Sequence, residues 1–203
     1  MSTSHADTHP TVRLAGVCGV VSAVLLLAVP MLPGPDNIAP GLWVLGWVLL
    51  LPFFGGVATL ARTADGRAAW LSPAIPAAAA VLVSVHLINV GIEHVANTMS
   101  KTSPVHEPLH EIGGALFMLA ILPLGVALTA SAAVGLVGRV LPRWLAWTGL
   151  AVGLMALANG TMIGSESAWG FLLGIVWVLA GGITLALRRT STMVAPEIAT
   201  ATT

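Results

Sequence analysis

The sequence predicts an all-α fold, a polytopic bundle of transmembrane helices that crosses the bilayer six times. The first observation is composition: 57% of the 203 residues are hydrophobic and only 8% are charged, whereas a soluble domain has about 25% charged residues. The second is that the apolar residues fall into six runs of roughly 20 residues, the length that crosses about 30 Å of hydrocarbon. The third is that the basic residues collect at alternate ends of these runs.

The six predicted spans are separated by short segments rich in proline, glycine and polar residues. They cover residues of about 14–33, 41–61, 73–98, 110–137, 144–162 and 168–187. We interpret the first as an uncleaved span, because its apolar run is long and no small-residue cleavage pattern follows it. The polar tails, residues 1–12 and 190–203, are expected to be disordered. Residues 13–189 are then a single transmembrane domain.

Lysine and arginine predict the orientation. Seven of the eight basic residues fall on one predicted side of the membrane: Arg13, Arg62, Arg67, Arg139, Arg143, Arg188 and Arg189. Only Lys101 falls on the other side. The positive-inside rule makes the arginine-rich side cytoplasmic, so both termini are expected in the cytoplasm and the protein in a plasma (inner) membrane. Loops 34–40, 99–109 and 163–167 then face outward.

Composition also excludes several classes of function. The formal net charge is zero, which leaves no electrostatic footprint for nucleic acid. Cys18 is the one cysteine, so disulfides within the chain, cysteine redox motifs and cysteine-rich metal sites are excluded. The expected partners are the lipid bilayer and a lipophilic small molecule, and the oligomeric state is left open. The GxxxG spacings at Gly149–Gly153 and Gly170–Gly174 are expected to serve packing inside the bundle.

The polar residues of the chain concentrate between residues 86 and 111, which hold four of the six histidines and three of the eight acidic residues. On a helix, which turns about 100° per residue, His86, Asn89, Glu93 and Asn97 lie within an arc of about 80°, with His94 at its edge. Lipid cannot satisfy such side chains, so this stripe is expected to face the bundle interior or a water-filled cavity. Tryptophans near span ends are expected to lie at the interface, and Trp47 to lie deeper and serve packing.

The sequence His106-Glu107-Pro108-Leu109-His110 contains H-E-x-x-H and so resembles the zinc-binding signature of metalloproteases. That motif needs both histidines on one helical turn. Pro108 opposes this, because a helix that begins at Pro108 leaves His106 outside, and a helix that begins near Pro104 carries Pro108 at a cost of about 3 kcal/mol. The first start is the cheaper one.

Several metal sites are nevertheless possible from these residues. A looser site could include Glu93 together with the predicted ligands His94, His106, His110 and Glu111. The expected divalent metal is zinc or iron, and copper is also possible. Ligation of a haem by His94 or His110 is a further alternative. A di-iron site would need a second E-x-x-H pair, which the sequence lacks.

Three functions remain open from sequence. The first is a small membrane enzyme in which Glu93, His94 and His110 are catalytic, because apolar surroundings favour a protonated carboxyl group that can act with a histidine in acid–base chemistry. The second is a protein that binds, senses or transports a metal or small molecule. The third is a non-catalytic accessory subunit. Apart from its terminal charges, the inner half of the bundle has no ionisable residue, which argues against ion transport.

Overall fold

The computed structural model describes residues 8–31, 39–63, 69–161 and 169–188, and the statements below concern these residues. They form helices joined by short turns and contain no β-strand, which confirms the predicted all-α helix bundle. The helices are α1 (Thr8–Ala28), α2 (Ala39–Val48), α3 (Leu50–Thr63), α4 (Ala74–Thr98), α5 (His106–Val137), α6 (Arg143–Gly160) and α7 (Trp169–Ala186).

The predicted second span is a helix interrupted at Leu49, which separates α2 from α3. The Leu49 amide still donates to the Leu45 carbonyl at 3.0 Å. Pro52 lies one turn after Val48, lacks the N–H that would bond to the Val48 carbonyl, and its ring crowds that carbonyl. Sequence analysis treated this run as one uninterrupted span, and the proline accounts for the difference.

The described helices are those of an integral membrane protein. Five segments are long and apolar enough to cross a bilayer: Pro10–Met31, Pro40–Thr63, Ala69–Thr98, His106–Val137 and Trp169–Ala186. The remaining predicted span corresponds to α6, which begins at Arg143 and carries Asn159 near its other end; these residues lower its mean hydropathy. The six-span count and the cytoplasmic position of the termini therefore stay predictions.

The helices close into a ring in the order α3, α1, α7, α6, α5, α4, in which each packs mainly against its two neighbours. Fully buried side chains from α3, α5 and α7 fill the centre, among them Phe53, Leu124 and Ile175. The first and last helices of the chain are therefore adjacent, and Arg13 near the start of α1 donates to the carbonyl of Ala186 at the end of α7.

Glycines permit the closest helix contacts in this ring. A methyl group added at Gly182 of α7 would lie 2.8 Å from the carbonyl oxygen of Gly16 in α1. The predicted internal role of both GxxxG spacings is confirmed, because each of their glycines faces a neighbouring helix. Gly149 faces Trp177, Gly153 faces Thr129, Gly170 faces Ala156, and Gly174 faces Leu124.

The ends of the chain differ from the predicted boundaries. α1 begins at Thr8, inside the segment predicted to be a disordered tail, and Pro10 fits there because the first turn of a helix has unpaired N–H groups. The rest of the predicted tails, residues 1–7 and 190–203, lies outside the described residues. The same holds for most of the first and third outer loops, including Asp36, Asn37 and residues 165–167.

Candidate functional site

The start of α5 brings the two histidines of the H-E-x-x-H sequence onto one helical turn. α5 begins at His106 with Val105 as its N-cap, and the His106 amide donates to the Ser103 carbonyl at 3.1 Å in the preceding turn. The expectation that His106 would lie outside the helix is wrong. Pro108 is the third residue of α5, where the backbone N–H has no helical partner, so the proline does not carry the cost of an interior position.

Both histidines turn their Nδ1 atoms toward α4. The Nδ1 of His106 lies 3.0 Å from the carbonyl oxygen of Ala96, and the Nδ1 of His110 lies 3.1 Å from Oε2 of Glu93. The two imidazole rings are nearly perpendicular, at 87°, with centroids 4.8 Å apart. These contacts hold the start of α5 against the end of α4.

The Glu93–His110 pair joins two helices at one end of the bundle. The side chains of Glu93 and His110 are 35% and 41% exposed, respectively, so both groups are accessible to molecules outside the bundle. α4 has 25 residues and α5 has 32, which correspond to about 37 Å and 48 Å. Because the hydrocarbon layer is about 30 Å thick, both helices are long enough for their polar ends to reach the membrane–water boundary.

Gly113 makes room for the carboxylate of Glu93. A methyl group at this position would collide with Oε1 of Glu93 and would lie 3.3 Å from Oδ1 of Asn89. Both polar side chains of α4 therefore lie against the bare backbone of α5, one turn after His110. Gly113 was not among the predicted site residues, because one glycine among the 22 in the chain gives no distinct signal.

His86 lies deeper in the bundle, enclosed by aromatic rings. It is 2% exposed, and its ring stacks on Trp47 with centroids 3.4 Å apart and an angle of 24°. Phe117 presents its ring edge to His86 at 5.8 Å. Phe171 lies within 5.3 Å and 5.7 Å of the ring centroids of Phe117 and Trp47, respectively. Trp47 was expected only to pack in the bundle. Its contact with His86 could not be predicted, because helical periodicity does not show which residues of different helices meet.

The polar stripe of α4 divides by depth. His86 and Asn89 are buried, Glu93 is half-buried, and Asn97 and His94 are exposed. Ala96 is fully buried and lies at about −80° on the helical wheel when His86 is at zero. The buried face therefore extends to Asn89 and Ala96 on one side. Asn97, at about +20°, lies within this face and is exposed because it is in the last turn of α4, whereas His94 lies at the edge of the face.

The predicted metal ligands are brought together only in part. His106 and His110 are neighbours, whereas His94 and Glu111 are exposed. Within the described segments, no group of three or more His, Cys, Asp or Glu side chains is placed to hold a metal ion. The described geometry therefore supports proton exchange between Glu93 and His110 more directly than it supports a metal centre.

Comparisons with models of known protein families, with curated proteins and with solved structures gave no match. The function of this chain therefore has to be argued from the contacts of the site itself.

Proposed function

We propose that this protein is a small integral membrane enzyme that carries out acid–base chemistry on a lipophilic substrate, with Glu93 and His110 as its central pair. The observation that carries the proposal is the 3.1 Å contact between Nδ1 of His110 and Oε2 of Glu93, made by side chains that both stay partly exposed. A buried pair would serve only to join two helices. An accessible pair can also exchange a proton with a bound molecule.

The contact assigns a role to each partner. A carboxylate that accepts the Nδ1 proton of an imidazole fixes the orientation and the tautomer of the ring. The Nε2 atom of His110 then takes a proton from one carbon of the substrate and returns it to a second carbon of the same molecule. This reaction is an isomerisation with no net gain or loss of atoms. Glu93 is the positioning residue in this scheme. His94, the third predicted catalytic residue, is exposed on α4 and takes no part in it.

Apolar side chains around the pair favour a lipophilic substrate. Val95 and Met99 on the α4 side, and Val105 and Ile112 on the α5 side, are 39–49% exposed. At the membrane–water boundary these side chains face lipid, so a molecule dissolved in the bilayer can reach the pair without crossing water. Ion transport is not favoured by this arrangement, because no ionisable residue of α4 precedes His86, which lies in the middle of the helix.

The proposal can be tested without knowing the substrate. Purified protein in lipid nanodiscs is incubated in D2O with lipids extracted from the source organism, and the lipids are analysed by mass spectrometry after exchangeable deuterium is washed out. A proton-transfer enzyme leaves deuterium on carbon in one lipid class. Glu93→Gln should reduce this incorporation about 100-fold or more, in the range of general acid–base catalysis.

Asn97→Ala is the matched control, because Asn97 lies on the same helix and is exposed. It should incorporate deuterium at the wild-type rate. The absence of any carbon-bound deuterium that depends on Glu93 would reject the enzyme proposal and would favour a binding or accessory role.

A metal site is the second candidate, and the Nδ1 contacts of the histidines favour it. In metal sites a ligating histidine usually donates its other ring nitrogen to a carboxylate or carbonyl, and His106 and His110 have such partners in Ala96 and Glu93. Both Nε2 atoms are then directed away from these partners. We expect any zinc or iron measured by elemental analysis of the purified protein to be lost in His110→Ala and retained in His94→Ala. Equal metal content in wild type and His110→Ala would reject the site.

A further inference from the structure

Two buried hydrogen-bond acceptors lie on the same face of α4, on the interior side of Glu93. Among the described residues, neither Nε2 of His86 nor Oδ1 of Asn89 has a hydrogen-bond partner, and the two residues are 2% and 9% exposed, respectively. Side chains three residues apart on a helix lie on the same face. A buried polar atom without a partner is costly, so an unpaired neighbouring pair indicates a molecule that both atoms contact.

The hydrogen bond at Nδ1 identifies Nε2 as the ring nitrogen of His86 that can accept a hydrogen bond. Nδ1 of His86 lies 3.1 Å from the carbonyl oxygen of Leu82. A carbonyl oxygen only accepts, so Nδ1 carries the hydrogen, and the neutral ring offers the lone pair of Nε2. The amide oxygen of Asn89 also accepts. Nε1 of Trp47, whose ring stacks on His86, is also buried without a partner among the described residues, and an indole N–H only donates. Together these atoms suit a ligand whose polar group both donates and accepts a hydrogen bond.

The surroundings indicate a neutral and apolar ligand. Trp47, Phe117 and Phe171 enclose His86, and the one carboxylate close to Asn89, that of Glu93, is already paired with His110. An ammonium group would be buried here without a counter-charge, which is expensive in an apolar medium. A hydroxyl group provides the donor without a charge.

We propose that His86 and Asn89 form a buried subsite that binds the hydroxyl group of a lipophilic alcohol or phenol, with His86 Nε2 as the main acceptor. The subsite deepens the proposed function and rests on it in one respect, that the same molecule reaches His110, which contacts Glu93. His86 and Glu93 are seven residues apart, which is about 10 Å along the helix. The substrate would then carry its hydroxyl group about 10 Å from the carbon at which the proton is exchanged.

Binding of 1-naphthol tests the subsite, with 1-methoxynaphthalene as the matched probe that lacks the O–H donor. Titration calorimetry on wild-type protein in nanodiscs, with empty nanodiscs as the reference for partitioning, should show naphthol binding about tenfold tighter or more, as expected for a hydrogen bond to a buried acceptor. His86→Leu and Asn89→Leu should each reduce this preference, and Asn97→Ala should retain it.

Equal binding of the two probes by the wild-type protein would overturn the proposal, even if the variants at His86 and Asn89 fail to fold. A preference that survives in both leucine variants would overturn it as well. Glu93→Gln separates the two proposals, since it should abolish deuterium incorporation and leave the naphthol preference unchanged. Deuterium incorporation without a naphthol preference would reject the subsite alone, and a preference without incorporation would reject the enzyme proposal alone.

Discussion

At the scale of single residues, the site depends on a residue that has no side chain. Gly113 lets the carboxylate of Glu93 and the amide of Asn89 approach the backbone of α5. A β-carbon there displaces Glu93, and with it the contact to His110. The polar residues carry the proposed chemistry, but the glycine determines whether they can meet.

Gly113→Ala should therefore weaken the bundle by about 1–3 kcal/mol, the usual cost of adding a methyl group to a packed contact, and should lower deuterium incorporation. Gly114→Ala is the matched control, because a β-carbon at Gly114 meets nothing within 4 Å. Replacing glycine by alanine in an open helical position stabilises by up to about 1 kcal/mol. Reversible unfolding in mixed detergent micelles measures both effects, and equal stability of the two variants would contradict the packing described at Gly113.

Periodicity predicted part of this site, and the rest required tertiary contacts. The spacing of His86, Asn89 and Glu93 is visible in the sequence, since one face of a helix repeats about every 3.6 residues. The pairing of Glu93 with His110, and of His86 with Trp47, depends on how α4 packs against α5 and α2. Glycine and tryptophan are common in membrane helices, so Gly113 and Trp47 gave no distinct signal.

At the scale of helices, the effect of a proline depends on what precedes its helix. Pro108 and Pro52 are each the third residue of a helix, α5 and α3, respectively. A turn precedes α5, so the missing N–H of Pro108 leaves no helical hydrogen bond unmade. The helix α2 directly precedes α3, and Pro52 cannot donate to the Val48 carbonyl. Most helices were predicted from their apolar runs. The start of α5 was predicted wrongly, because Pro108 was expected to be either the first residue of the helix or an interior residue.

Pro108→Ala tests the observed start of α5. Because Pro108 is exposed and is the third helical residue, its replacement should change the free energy of unfolding by less than about 1 kcal/mol. A helix that started near Pro104 would carry the proline in its interior and would gain about 3 kcal/mol on the same change. Detergent unfolding of Pro108→Ala distinguishes the two starts.

The contact between α1 and α7 depends on glycine in the same way as the site does. A methyl group at Gly182 would lie 2.8 Å from the carbonyl oxygen of Gly16 and 2.8 Å from the amide nitrogen of Val20. Backbone atoms cannot rotate away, so Gly182→Val should destabilise the bundle by about 3 kcal/mol, the upper part of the range for overpacking. Gly55→Val is the control, because a β-carbon at Gly55 contacts nothing within 4 Å. Similar unfolding curves for the two variants would contradict the close approach of α1 and α7.

At the scale of the whole molecule, the distribution of charge predicts the orientation of the bundle in the membrane. The ring of helices brings the start of α1 and the end of α7 together, so these two helix ends lie on a common side of the bundle. The side itself is predicted only by the distribution of arginine.

Cysteine labelling in intact cells measures this orientation. In a Cys18→Ala background, Thr102→Cys should react with a membrane-impermeant maleimide added outside, because residue 102 lies in the predicted outer loop. Thr63→Cys should react only after the cells are opened, since the end of α3 is predicted to be cytoplasmic. Both threonines are exposed. The reverse pattern of labelling would invert the topology and place the Glu93–His110 pair on the inner side.

The contact between α1 and α7 also determines when the helix bundle can finish folding during synthesis. α1 ends at Ala28 and α7 begins at Trp169, yet α7 is one of the main neighbours of α1. At about 5–20 residues per second, the glycine face of α1 waits on the order of ten seconds for its partner. During this interval an unassembled α1 presents Gly16 and Gly19 to lipid and to other nascent chains. A truncation that removes α7 would make this transient exposure permanent.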